Sequence, residues 1–256
     1  MFVFKTIKRL FIKFLLSLFI GVILLIATLL NPTLLYGHET KADQVTILHD
    51  KALPTGFSTL LGEVMQVVKG AEIYDPAFSI QLCLSDGSLY PELVTQVKGN
   101  GFGHGFYNIA LISSQVHMQT NQATLNGYSW NLKKLLIHEI LHTYQFNRYG
   151  FKTLGFDQWK VEGYPEYISR QSTVPLETGI EQLIDYEGHL PISDWVWVME
   201  DDGSGRSLDY LKSHLLVRFM LEERRLTYHE LLSDTTSKES TLDQMMEWYE
   251  RGKIAK

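Results

Sequence analysis

The hydrophobic and polar positions divide the chain into two unequal parts. Residues 14–36 read FLLSLFIGVILLIATLLNPTLLY without a charged side chain, and a helix of about 20 such residues crosses the hydrocarbon core of a bilayer. Beyond it the pattern becomes that of a folded body. After a polar stretch at His38–Asp43, Val45-Thr-Ile-Leu-His predicts a first strand. Pro54-Thr-Gly opens a segment whose apolar residues, Leu60, Leu61, Val64, Met65, Val67 and Val68, recur at helical spacing as far as Gly70. Phe78–Leu84 alternates with period two and predicts a half-buried strand, closed by the turn signal Ser-Asp-Gly at 85–87. The glycines of GNGFGHG, residues 99–105, predict a flexible loop, because the spacing of a nucleotide-binding GxGxxG is absent. Tyr107–Ser113 predicts another strand. From Ser129 onward the pattern is helical, over 131–148, 162–172, 176–186, 208–223, 227–233 and 239–251. A mixed N-terminal β-sheet with a helix, followed by a mainly helical half, predicts an α+β fold built as one compact unit.

Composition sharpens this division. The chain is 45% hydrophobic and 12% aromatic, with a mean hydropathy of −0.06. That profile excludes a disordered or collagen-like chain. A single cysteine excludes an internal disulfide framework, and Cys83 is expected in the core. Lys5, Lys8, Arg9 and Lys13 precede the apolar run, and no acid precedes Glu39. The remainder holds 19 basic and 29 acidic residues, so the body carries −10 where the whole chain carries −6. An acidic body argues against a nucleic-acid partner. A basic flank stays on the cytoplasmic side, which sends everything after Tyr36 out of the cytoplasm. The apolar run reads either as an uncleaved single-pass anchor or as a cleaved signal peptide. Its length exceeds the roughly 7–15 apolar residues of a signal sequence, and Leu35-Tyr-Gly is a poor small-x-small cleavage site. Residues 1–37 are therefore expected to form a basic flank and transmembrane anchor (or signal peptide). Residues 38–256 are expected to form an extracytoplasmic body, membrane-bound or, after cleavage, secreted.

The chemistry concentrates in LLIHEILHTYQ, residues 135–145. Residues four apart on a helix share a face, so the imidazoles of His138 and His142 can converge on one ion. Glu139, beside the first histidine, can reach a water at that ion and serve as general base, as in the HExxH pattern. Lys133, Lys134 and Arg148 bracket the segment and exclude a membrane-embedded helix. A zinc site of this type needs a third protein ligand. The next carboxylate cluster is WKVEGYPEY, with Glu162 twenty positions after His142. Gly150 and Gly155 allow the chain to turn and lay a second helix beside the first. Glu162 would then face the histidines, and Glu166, one turn later, could accept the spare ring N–H of a ligand histidine.

HEILH followed by VEGYPEY resembles the gluzincin zinc metallopeptidases, in particular their small "peptidase MA-like" catalytic domains. The resemblance covers about 100 residues, from the strand near 107 to the helix at 208–223. It implies a zincin-like fold and one Zn2+ held by His138, His142 and Glu162. It also implies hydrolysis of a peptide or protein substrate by a zinc-activated water, with Glu139 as base. Members of the group add a Tyr or His donor for the developing oxyanion. The candidates here are Tyr186, His189, Tyr210 and His214, of which Tyr210 opens the stretch most similar to the family's donor helix. Tyr107–Ser113 would be the edge strand that pairs with substrate, with Asn108 and Ala110 facing it. Pro165 departs from the family's pattern and is expected to delay the start of the second helix. The reading from another class is a non-catalytic, membrane-anchored binding or sensing module that retains the zincin-like fold. His49, His104, His117 and His229 are expected on the surface or in loops, and Trp195 and Trp197 in packing.

Overall fold

The computed structural model describes residues 2–170, 174–189 and 196–254, with side chains from residue 11 onward except that of His189. Trp195 lies outside the described residues. An apolar helix, α1 (Phe2–Leu30), is followed by a 3-10 turn at Pro32–Leu35 and by β1 (His38–Ala42) and β2 (Val45–His49). Next come α2 (Phe57–Val68), β3 (Ile80–Leu84), α3 (Tyr90–Lys98), β4 (Gly103–Phe106) and β5 (Ile109–Ile112). These five strands form one sheet in the order β1-β2-β3-β5-β4. The three central strands run parallel, and both outer strands are antiparallel to their neighbours. A second sheet contains β6 (Gln115–His117), β7 (Gln122–Leu125) and β8 (Tyr128–Asn131). The second half holds α4 (Leu132–Tyr149), α5 (Gln158–Ser169) and α6 (Leu176–His189). It continues through the short hairpin of β9 (Trp197–Met199) and β10 (Gly205–Ser207) to α7 (Leu208–Glu222), α8 (Tyr228–Ser233) and α9 (Lys238–Ile254). The expected α+β organisation and its single N-terminal apolar helix are present.

Strand periodicity decides how the main sheet is covered. Side chains alternate between its faces. Val45, Ile47, Ile80, Leu82 and Leu84 join α2 and α4 in the large core. Leu48, Cys83, Ile109 and Leu111 point the other way and are covered by Tyr90 and Val94 of α3. Cys83 is thus the core residue expected. The half-buried reading of β3 needs correction, because α3 seals its second face. That helix escapes the sequence pattern because it is only nine residues long, with Pro91 in its first turn.

Three further expectations change. GNGFGHG contributes the edge strand β4, so Tyr107–Ser113 is not the edge: β5 lies between β3 and β4. Ala110 is fully buried, and Asn108 accepts a backbone bond from Gln81 on the interior side. Neither faces an open edge. His38–Asp43, read as a polar stretch, supplies β1. Finally, α5 starts four residues before its predicted first residue, Glu162, and carries Pro165 inside it. Pro165 has no N–H to give the carbonyl of Val161, four residues back. Gln145 Nε2 on α4 donates to that carbonyl instead, at 2.8 Å. The helix tolerates its proline because a neighbouring side chain satisfies the orphaned acceptor.

Candidate metal centre

Two adjacent helices build the site. Asn131 caps α4 by accepting from Lys134 N at 3.1 Å and fixes the start of the helix that carries His138, Glu139 and His142. The 3-10 turn at Gly150–Gly155 reverses the chain, and α5 packs against α4 with Glu162 and Glu166 one turn apart. The nitrogens His138 Nε2 and His142 Nε2 lie 3.0 Å apart. Glu162 Oε2 is 3.2 Å from each. Four ligands of a tetrahedral ion with bonds of about 2.0–2.1 Å stand roughly 3.3 Å from one another, so this triangle has the dimensions of a tetrahedral zinc face. His138, His142 and Glu162 could therefore hold a metal ion.

The proton positions point the same way. His138 Nδ1 donates to Glu166 Oε1 at 2.9 Å, and His142 Nδ1 donates to Gln145 Oε1 at 2.7 Å. With Nδ1 protonated in both rings, the two Nε2 lone pairs of the neutral imidazoles face a carboxylate oxygen. Three converging acceptors call for a cation. Without one, a proton takes that place: burial opposes the charged ring of His138, but Glu162 and Glu166 outweigh it and push its pKa up to about 10. Burial likewise works against charge on Glu162, yet the two histidines hold its carboxyl well below the usual range. Gln158 Nε2 donates to the other oxygen of Glu162 at 2.6 Å. Glu139 is buried beside the cluster, and that burial raises its pKa, with a further push from Glu162.

Glu166 opens a buried ionic network. Its second oxygen meets Arg170 Nη1 at 2.5 Å and Arg206 Nη1 at 3.3 Å. Arg170 Nε also donates to Glu200 at 2.9 Å, and Glu200 pairs with Lys134. His138 is thus braced from behind by two arginines acting through one carboxylate. Arg206 Nη1 also reaches His214 Nδ1 at 2.8 Å, which places that histidine behind the His138–His142–Glu162 triangle rather than in front of it.

In front, β4 lies directly on the HExxH turn. A Cβ on Gly105 would collide with Glu139 O and His142 Cβ, and one on Gly103 would come within 2.7 Å of Glu139 Cγ. Only glycine lets the strand approach so closely. The strand walls a cleft of about 1290 Å³ whose floor includes His138, Glu139, His142 and Glu162. Tyr210 lines the cleft, its ring 5.6 Å from that of His138. Burial, then the nearby Glu162 and Glu139, raise its pKa well above the ordinary tyrosine value. Tyr186 lines the same cleft, and the side chain of His189 lies outside the described residues. Trp197 packs as expected, stacked on Phe102 at 5.8 Å, and also faces the cleft.

The chain matches no known protein family, curated protein or solved structure. The site's meaning therefore rests on its own chemistry. His138, Glu139, His142, Glu162, Glu166 and Tyr210 come together around one point, whereas Asn108, Ala110 and His214 do not face it. His104 and His49 depart from the surface reading. His104 lines the cleft on β4, where burial and then Lys98 lower its pKa to about 4. His49 is buried in β2 between Thr40 and the carbonyl of Lys51. Gln145, Gln158, Arg170 and Arg206 were not anticipated. For Gln145 a signal existed, because it follows His142 by three positions on one helix face. The arginines sit in segments with no periodic relation to the motif.

Proposed function

We propose that the chain is a membrane-tethered zinc metallopeptidase of gluzincin type, with a zincin-like catalytic domain. The observation that carries this reading is the triangle of His138, His142 and Glu162, with Glu139 beside it on the floor of an open cleft. An ion held there would act as a Lewis acid on a substrate carbonyl and on water. Glu139 takes the proton of the attacking water and passes it to the leaving amine. Burial raises its pKa, so the carboxylate holds the proton it takes more readily and can hand it on. The hydroxyl of Tyr210 donates to the carbonyl oxygen as negative charge develops on it. An extended peptide adds to the free edge of β4 by main-chain hydrogen bonds, which brings its carbonyls past Glu139. The apolar α1, with its basic flank, serves as the tether.

The test is zinc stoichiometry in the purified full chain together with cleavage of a peptide library. The native protein should bind one zinc and cleave. His142→Ala should lose the metal, and Glu139→Gln should keep it while losing turnover. A folded protein that binds no zinc, or a Glu139→Gln variant that cleaves at the native rate, overturns the assignment. Zinc binding without any cleavage by the native protein would favour a binding or sensing module.

A further inference from the structure

The end of α1 is built into the folded body, so the division at residue 37 is not a break in packing. Leu29, Leu35 and Tyr36 pack against the small buried cluster around Cys83, Tyr90 and Leu111. Tyr90 OH donates to Leu29 O at 2.7 Å, and Ser88 Oγ donates to Leu35 O at 2.8 Å. Tyr36 OH returns a bond to Leu84 O at 2.9 Å. Phe106 packs against the same cluster and also lines the cleft. One small core therefore joins the end of the apolar helix to the wall of the site.

The surface at this junction is apolar. Along α3, Leu89, Leu93 and Val97 follow one another at intervals of four, beside the buried Tyr90 and Val94. Leu89 and Val97 are 65% and 54% exposed, and Leu34, across the junction, is 69% exposed. The stripe continues from α1, whose residues Phe11–Leu30 form an apolar stretch 20 residues long. At about 1.5 Å per residue that stretch measures roughly 30 Å, the thickness of a hydrocarbon core. A bilayer spanned by α1 thus ends where α3 begins.

We propose that Leu34, Leu89, Leu93 and Val97 rest in the interface of the bilayer that α1 spans, so that the cleft works on polypeptide lying at the membrane surface. This deepens the function above and rests on its reading of α1 as a retained span. The partner is the lipid surface itself, chosen because the stripe is continuous with α1. The nine residues of α3 cover roughly 13 Å from the junction to Lys98 in the cleft wall. The cleft is therefore close enough to the lipid to receive the juxtamembrane segments of membrane-embedded substrates.

The experiment uses the full chain carrying Glu139→Gln, reconstituted in phosphatidylcholine–phosphatidylglycerol vesicles with a nitroxide at a shallow acyl position. A thiol-reactive fluorophore is attached through Leu89→Cys, Val97→Cys or Glu250→Cys, the last on α9, which packs on α6 and α7. Cys83 is fully buried, so the parent protein serves as the labelling blank. Emission at positions 89 and 97 should be lost to the nitroxide lipid, and emission at 250 should persist. Equal quenching at all three positions overturns the proposal, as does a mature chain whose intact mass lacks the residues before Gly37. Because the readout needs no hydrolysis, docking here combined with no cleavage by the native protein in the peptide-library assay sinks only the peptidase reading. Cleavage by the native protein combined with positions 89 and 97 in water sinks only this one.

Discussion

Gln145 allows the sharpest test of how the site is held. It is 1% exposed and serves three partners: it accepts from His142 Nδ1 and donates to Val161 O and to Tyr228 OH. Gln145→Leu keeps the volume and removes all three bonds. Tyr228 OH retains a long contact to Lys160 O at 3.5 Å, but Val161 O and the His142 N–H are stranded. Each buried polar group left unpaired costs about 1–3 kcal/mol, so the variant should lose roughly 2–6 kcal/mol. That is a large share of the ~5–15 kcal/mol that holds a domain together. Pro165→Ala restores an N–H aimed at Val161 O. In the native protein it should bring only the helix-propensity gain, because Gln145 already occupies that carbonyl. In the Gln145→Leu background it should bring about 1–3 kcal/mol more, by satisfying the stranded acceptor. The double variant should therefore be more stable than the sum of the singles, measured by urea denaturation of the metal-free protein. Zinc affinity separates the two functions of Gln145. It should fall about 10–100-fold in Gln145→Leu and stay low after Pro165→Ala, since His142 Nδ1 still lacks its acceptor. Additivity within about 0.5 kcal/mol, or recovery of zinc affinity by the proline change, would refute this account.

Other outcomes follow from the same geometry. Gly105→Ala forces β4 away from the HExxH turn and should cost ~1–3 kcal/mol. Gly62→Ala on α2, where a Cβ meets open space, should instead gain up to about 1 kcal/mol; thermal melts of both variants check the opposite signs. Burial opposes charge on Glu166, but Arg170, His138 and Arg206 keep its carboxyl well below the glutamate range. A depressed folded pKa contributes stability above the unfolded value of about 4.3, and that stability is lost as pH falls through the folded value. Glu166→Gln should cost ~3–5 kcal/mol at neutral pH, and its urea midpoint should vary less with pH than the native one below about pH 4.3. A native-like pH slope in the variant would show that another carboxylate dominates. Tyr210→Phe should lower kcat by about 10²–10³ with KM and bound zinc unchanged; the same loss from Tyr186→Phe instead would move the donor role to that residue.

Local sequence determined a good deal. The spacing of His138 and His142 is converted into a shared face by helix geometry alone, and the uncharged run after Lys13 predicts the long apolar helix that continues to Leu30. Period-two alternation located β3, the stretches Val45–His49 and Tyr107–Ser113 located β2 and β5, and Cys83 reads as core because a lone cysteine has no internal partner. The glycines at 150 and 155 signal the turn that returns Glu162 to the histidines. What tertiary structure decided depends on contacts between segments remote in the chain. GNGFGHG is composed like a loop, and becomes the edge strand because its missing Cβ atoms let it lie on α4; Asn108 and Ala110 lose their expected place for the same reason. Pro165 sits inside a helix because Gln145, from another helix, takes over the carbonyl it orphans. Arg170 and Arg206 join the site through Glu166, a meeting that no periodicity encodes. Nor does the apolar run disclose that its last turn belongs to the folded body, since packing against Tyr90 and hydrogen bonding to Ser88 and Leu84 exist only after the chain has folded.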